Sequence, residues 1–309
     1  MLSRIAESLF WIGRYVERAD DTARMVQTQL RLIAEDTSRG EPDACRNLLA
    51  LMSVDSVEDP QAADLLRLLC WDAQEPTSIF YAWAAARDNA RRAREVIPLE
   101  VWECINTTWQ KLPTGRFNTV RAYSFLDWAR DRSALVNGLA RGTMVRDDGW
   151  QFFLLGRSLE QADMTSRMVA SAAPTTGSAH WPSVLRGVGG HDAFLRTYKG
   201  LHTDQEAAEF LIVDGRFPRS VMHGLVAAAD CLDKVTLANP SRGDEAREAS
   251  RLLGQLRARL EYTPVQEILR ELDDEMTGVQ GVCSAVSDVV ATTFFAAADT
   301  TAWVTEGTR

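Results

Sequence analysis

Side chains that could do chemistry are concentrated in two short stretches of almost the same wording. Arg14, Glu17, Arg18, Asp20 and Arg24 lie in FWIGRYVERADDTARMV (residues 10–26). Arg157, Glu160, Asp163 and Arg167 lie in FLLGRSLEQADMTSRMV (residues 153–169). Aligned at an offset of 143 residues, the stretches agree at ten of seventeen positions, four of them charged. A guanidinium fork binds a carboxylate or phosphate through two parallel hydrogen bonds. A carboxylate becomes a general acid or base when burial raises its pKa toward neutrality. Glu17 and Glu160 are therefore the candidate acid/base groups, and the arginines are the candidate hold on an anionic substrate.

Spacing decides how these groups face one another. At about 100° per residue, Leu9, Ile12, Val16, Ala19, Ala23, Val26 and Leu30 form an apolar face. Phe10, Gly13, Glu17, Asp20, Asp21 and Arg24 lie nearly opposite. The second stretch repeats this, with Phe153, Gly156, Glu160, Asp163 and Arg167 opposite Leu155, Leu159, Ala162, Ser166 and Val169. Three readings are open. The stripe is solvated and its i,i+3 and i,i+4 pairs support the helix by roughly 0.2–0.5 kcal/mol each. Alternatively, the two helices meet and bury a reciprocal network of Arg14, Glu17, Arg157 and Glu160. In the third reading the stripe lines a ligand or partner groove. A mid-helix glycine, which costs about 1 kcal/mol against alanine, and Phe10 on the polar side both indicate close approach by a neighbour.

Two further clusters belong with the stripe. Arg87, Arg91 and Arg94 with Glu95 are expected on one helical face, an anion site or a basic surface, with Glu17 and Glu160 as possible acidic neighbours. In DGRFPRS (residues 214–220), Arg216 and Arg219 precede a helix whose first turn is expected to hold Pro218. They either bind an anion at that helix N-terminus or tie the loop to acidic residues nearby. No P-loop, GxGxxG, HExxH, GxSxG or Glu-x-x-His pair occurs, so no resident cofactor or metal is expected. His180, His191, His202 and His223 read as surface or packing residues.

The elements that must position these groups read as helices throughout. Apolar spacing of three and four residues predicts helices over 3–35, 45–51, 61–70, 78–96, 99–111, 119–142, 148–172, 192–197, 203–213, 218–237, 244–262, 265–274 and 278–305. Residues 174–190 read as an irregular loop or lid. The expected fold is all-α, a helical bundle with an internal duplication and two pseudo-symmetric halves, 1–147 and 148–309, forming one intertwined unit. A net charge of −9 argues against a nucleic-acid partner. The most apolar run, 278–303, is interrupted by Asp288 and Asp299, so no membrane span is expected. Five scattered cysteines form no disulfide framework or zinc motif, and with no secretory signal a cytoplasmic setting is expected.

The wording GRYVERADDTAR, its repeat GRSLEQADMTSR, ARDNARRAREVIPLEVWECIN (residues 86–106) and FLIVDGRFPRSV (residues 210–221) together resemble the alpha-E family, a bacterial all-helical group with a Glu-Arg motif. The second stretch departs from it, reading Glu160-Gln161 where the family tends to have Glu-Arg. The resemblance implies a place beside a circularly permuted ATP-grasp protein, and a transglutaminase-like protein as a further partner. ATP and magnesium would then come through the ATP-grasp partner. On this reading the chain is an auxiliary component of amide- or peptide-bond formation, its Arg/Glu cavity holding an anionic or amino-acid-like substrate. The alternative is a noncatalytic scaffold whose Arg/Glu network is structural.

Overall fold

A computed structural model describes residues 3–35, 40–55, 57–112, 119–172, 181–199 and 203–295. Fourteen α-helices and no strand occur among them. The first six are α1 (Ser3–Glu35), α2 (Glu41–Leu51), α3 (Ala62–Leu66), α4 (Ile79–Arg92), α5 (Leu99–Gln110) and α6 (Thr119–Thr143). Then come α7 (Asp148–Ala170), α8 (Trp181–Val188), α9 (His191–Thr197) and α10 (Asp204–Ala208). The last four are α11 (Val221–Ala238), α12 (Gly243–Tyr262), α13 (Val265–Arg270) and α14 (Leu272–Val290).

The two similar stretches form the middles of α1 and α7, and these helices make the most extensive contact among the described elements. Their glycines are the reason they can. A β-carbon on Gly13 would lie 2.1 Å from the carbonyl oxygen of Phe153, and one on Gly156 would lie 2.1 Å from that of Phe10. The helices thus cross backbone to backbone, which any side chain there would forbid. The expected apolar face of α1 is buried from Leu9 to Leu30, and so is the opposite side, with Phe10, Glu17 and Asp21 at 0% exposure. Other helices cover the pair, with α4 and α6 against α1 and α11 and α14 against α7.

Local structure around the pair is matched on the two sides. Short α3 and α10 each begin with a capping box, Gln61 with Asp64 and Thr203 with Glu206. Each runs into one widened turn, closed by Asp72 N–H to the Arg67 carbonyl and Asp214 N–H to the Glu209 carbonyl, both at 2.9 Å. Ser78 and Ser220 then cap α4 and α11, accepting from the amides of Tyr81 and His223 at 3.0 Å. Hydroxyls of Thr22 and Thr165 donate to the carbonyls of Thr77 and Arg219, one residue before each cap, at 3.3 and 3.1 Å.

Several expected boundaries differ. Part of the supposed loop 174–190 is helix: α8 buries Trp181, Val184, Leu185 and Val188, an apolar stripe that its glycines obscured. Residues 173–180 lie outside the described residues. Helix α2 starts four residues early, at Glu41, because Pro42 sits in its first turn, where a missing N–H is harmless. Helix α4 ends at Arg92, not at 96, leaving Arg94 and Glu95 in the following turn. Pro218 precedes the Ser220 cap and does not begin α11. The break expected at 275–277 falls at Glu271. Among the described residues, Leu272–Phe295 is long and apolar enough to cross a membrane by length and composition. Its Met276, Val279, Cys283, Val286 and Val290 are buried in the bundle. All five cysteines are buried and free.

Candidate functional site

The crossing of α1 and α7 brings each glutamate to the other helix's arginine. Glu160, 1% exposed, accepts from Arg14 Nε at 2.6 Å and from Arg18 Nε and Nη2 at 2.5 and 3.1 Å. Glu17, 0% exposed, accepts from Arg157 Nε at 2.9 Å. The network is therefore reciprocal and buried, and the solvated reading of the stripe is excluded. Arg14 also donates to Ser287 Oγ of α14 at 2.8 Å. Within each helix the i,i+4 pair persists, Arg24 Nε to Asp20 at 3.1 Å and Arg167 Nε to Asp163 at 2.9 Å. Arg167 adds a bond to the Leu51 carbonyl at 2.6 Å.

The two sides differ where their wording differs. Glu160 has Arg18 beside Arg14, but the residue corresponding to Arg18 in α7 is Gln161, which reaches Glu17 only as a neutral donor at 3.4 Å. Arg219, from the loop before α11, supplies the missing cation. Its Nη2 lies 3.2 Å from Glu17 and also pairs with Asp20, and its Nη1 donates to Asp21 at 2.5 Å. Asn137 of α6 adds a long bond to Glu17 at 3.4 Å.

Burial opposes ionisation of both glutamates, yet the guanidiniums win. Glu160 is lowered to about 2 by Arg18 and Arg14 against that burial. Glu17 is likewise lowered, by Arg157 and Arg219. A general acid needs the opposite shift. Asp21 behaves differently. Burial raises it to about 8, with Arg219 opposing and the charges of Glu17 and Asp20 reinforcing the rise. Oxygens of Glu17, Asp20 and Asp21 lie within 4.8 Å of one another, a grouping of the kind that holds a cation. Here the Arg219 guanidinium provides that positive charge. One oxygen of Asp20 and one of Asp21 remain buried without a hydrogen-bond partner among the described residues.

The other candidates stand apart. Arg87 donates to Asn106 at 2.8 Å and lies over Trp109 at 4.3 Å, while Arg94 lies over Trp102 at 5.4 Å. Arg91 is exposed beside Asp88 at 3.6 Å. None of these three takes part in the ion pairs of Glu17 and Glu160, which Arg14, Arg18, Arg157 and Arg219 supply. Arg216 is exposed and forks onto Asp214 in its own loop at 2.9 and 2.7 Å. His191 sits 3.7 Å from Asp192, and His223 Nδ1 bonds the Gly215 carbonyl. His180 and His202 lie outside the described residues. Asp21, Asn137 and Ser287 were not among the sequence candidates. Of these only Asp21 carried a signal: it is the charged residue of the first stripe that aligns with an apolar residue, Met164, in the second.

Residues 1–295 match the sequence profile of Alpha-E, described as a predicted alpha-helical domain with a conserved ER motif. The chain belongs to the Alpha-E family. Its one Glu-Arg dipeptide is Glu17-Arg18, and in this Alpha-E chain the two side chains serve different partners. Glu17 faces Arg157 and Arg219, whereas Arg18 turns to Glu160. No curated protein and no solved structure matches the chain.

Proposed function

We propose that this Alpha-E chain is a noncatalytic helical component of a cytoplasmic, ATP-grasp-linked system for amide- or peptide-bond formation. Its Arg–carboxylate network is a clasp between two duplicated halves, 1–147 and 148–309, that form one unit. The observation that carries the reading is the condition of the two glutamates. Each is fully buried, each meets two guanidiniums, and each is held ionised. Matched capping, matched widened turns and reciprocal glycine contacts support the duplication. The resemblance supports the partner: a circularly permuted ATP-grasp protein would bring ATP and magnesium, with a transglutaminase-like protein as a further member. In the competing reading Arg14 and Arg157 hold an anionic or amino-acid-like substrate, which would require their forks to leave Glu160 and Glu17.

Copurification with the circularly permuted ATP-grasp protein, followed by ADP release from each protein alone and from the pair, tests this. We expect a stable pair, no turnover by the Alpha-E chain alone, and partner turnover that depends on the chain. Turnover by the chain alone, or failure to pair, would overturn the reading. A folded Glu160→Gln variant that pairs normally yet supports no turnover would move the network from clasp to substrate site.

A further inference from the structure

Beyond the clasp, the C-terminal half of α1 passes between α6 and α8, and a cavity of about 100 Å³ opens there. Gln27, Thr28, Arg31 and Leu32 of α1, Arg130 of α6, and Ser183, Arg186 and Gly187 of α8 line it. Its walls are closely set. A β-carbon on Gly187 would lie 2.6 Å from Thr28 Oγ1, so the glycine is what allows α8 to come this near.

The polar groups are incompletely answered. Gln27 donates to Asp127 at 2.8 Å and accepts from Arg130 Nη1 at 2.8 Å, which fixes the Arg130 guanidinium. Arg130 Nε is nevertheless buried with no hydrogen-bond partner among the described residues. Asp127 lies 3.5 Å from Arg130 and is more than half exposed. Among the described residues Arg186 reaches only Ser183 Oγ, at 3.4 Å. Burial lowers the pKa of Arg130, and the neighbouring charges of Arg24 and Arg219 lower it further, although Asp20 and Asp127 oppose. Three guanidiniums around one small polar cavity repel unless an anion answers them. Two hydroxyls, Thr28 and Ser183, stand with them. This donor set exceeds what the two oxygens of a carboxylate can use and matches a tetrahedral dianion.

We propose that the cavity between α1, α6 and α8 is a binding site for a phosphate-class oxyanion, gripped by Arg31, Arg130 and Arg186 with Thr28 and Ser183. The anion is either free phosphate or the terminal phosphate of a larger ligand, whose remainder extends outward past the exposed Arg31 and Arg186. The site lies beside the clasp, whose Arg24, Arg219 and Asp20 act on Arg130 through their charge, and does not depend on the ATP-grasp reading.

Isothermal titration of the full chain with inorganic phosphate and with phenyl phosphate, at fixed ionic strength, tests the proposal, with acetate as comparison. We expect saturable binding of at least one phosphate probe and at least tenfold weaker binding of acetate. Equal binding of both phosphates assigns the site to the free ion, and tighter binding of the ester assigns it to a phosphate terminus. Arg130→Gln should weaken binding at least tenfold. The double variant Arg31→Gln/Arg186→Gln, which alters only exposed side chains, should do the same should Arg130→Gln fail to fold. Arg247→Gln, a surface change on α12, should bind as the unaltered chain does. No saturable binding of either phosphate, binding unaffected in the double variant, or acetate binding as tight as phosphate would each overturn it.

Discussion

Single residues of the clasp carry opposite electrostatic loads, and each has its own signature. Glu160 answers both Arg14 and Arg18, so Glu160→Gln leaves one buried and one partly buried guanidinium without a carboxylate. Breaking a buried pair from one side costs about 3–5 kcal/mol, and urea unfolding at neutral pH should show a loss of that size. A loss below about 1 kcal/mol would mean that water or other groups answer the arginines. Asp21 has the contrary sign. Its carboxyl is raised from 3.8 to about 8, so between these values the native state binds more protons than the unfolded chain. Asp21 therefore makes stability fall as pH rises from about 4 to about 8, by roughly 1.4 kcal/mol per unit of separation. Glu160, lowered from 4.5 to about 2, makes stability fall as pH drops through that lower window. Asp21→Asn should match the unaltered chain near pH 3, below both values, and exceed it at pH 9. Parallel stability–pH curves for the two proteins would rule out Asp21 as the titrating group.

At the scale of the helix, the crossing of α1 and α7 depends on two absent β-carbons. Gly13→Ala or Gly156→Ala would set a methyl group 2.1 Å from a carbonyl oxygen of the facing backbone. Main chain cannot rotate aside as a side chain does, so a penalty of about 3 kcal/mol or more is expected, the upper end for overpacking. Gly138→Ala serves as the contrast. A β-carbon there meets nothing within 4 Å, and removing a helical glycine should stabilise by roughly 0.5–1 kcal/mol. Thermal melts of the three variants decide the matter, since equal shifts would mean that propensity alone governs all three. The charged stripe and the helical period were legible in the sequence because each depends on neighbours within a few residues, and the two glycines were legible because the repeat sets one in the middle of each stripe. Arg219 as the substitute for the arginine absent at Gln161 was not, because that bond spans the fold from the loop before α11 to α1. Helix α8 was hidden for a local reason, its stripe of Trp181, Val184, Leu185 and Val188 being short and flanked by glycines. The Arg31–Arg130–Arg186 cavity, assembled from three helices, left no trace in any one of them.

For the whole molecule, the same bonds decide whether either half is a folding unit. Arg14 and Arg18 neutralise Glu160, Arg157 and Arg219 neutralise Glu17, and Arg219 also serves Asp20 and Asp21. Every one of these pairs joins a residue before 147 to one after 148. Hydrophobic contact follows the same division, with Phe10 against Phe295 and α1 against α7. A half expressed alone would expose the α1 or α7 crossing face together with a stripe of charges lacking counterions. The connection between the halves is slight by comparison: α6 ends at Thr143, Asp147 caps α7, and Val145 between them is 74% exposed. Cutting between 147 and 148 removes chain continuity and the Asp147 cap of α7, a loss of about 1 kcal/mol. Residues 1–147 and 148–309 made separately should therefore lack cooperative unfolding transitions, and mixing them should restore helical circular dichroism and a one-to-one complex. High salt screens exposed charges far more than buried ones, so that complex should persist in 0.5 M sodium chloride. A cooperative melt by either half alone would show that the clasp joins two finished domains, and dissociation in salt would show that its charges are reached by solvent.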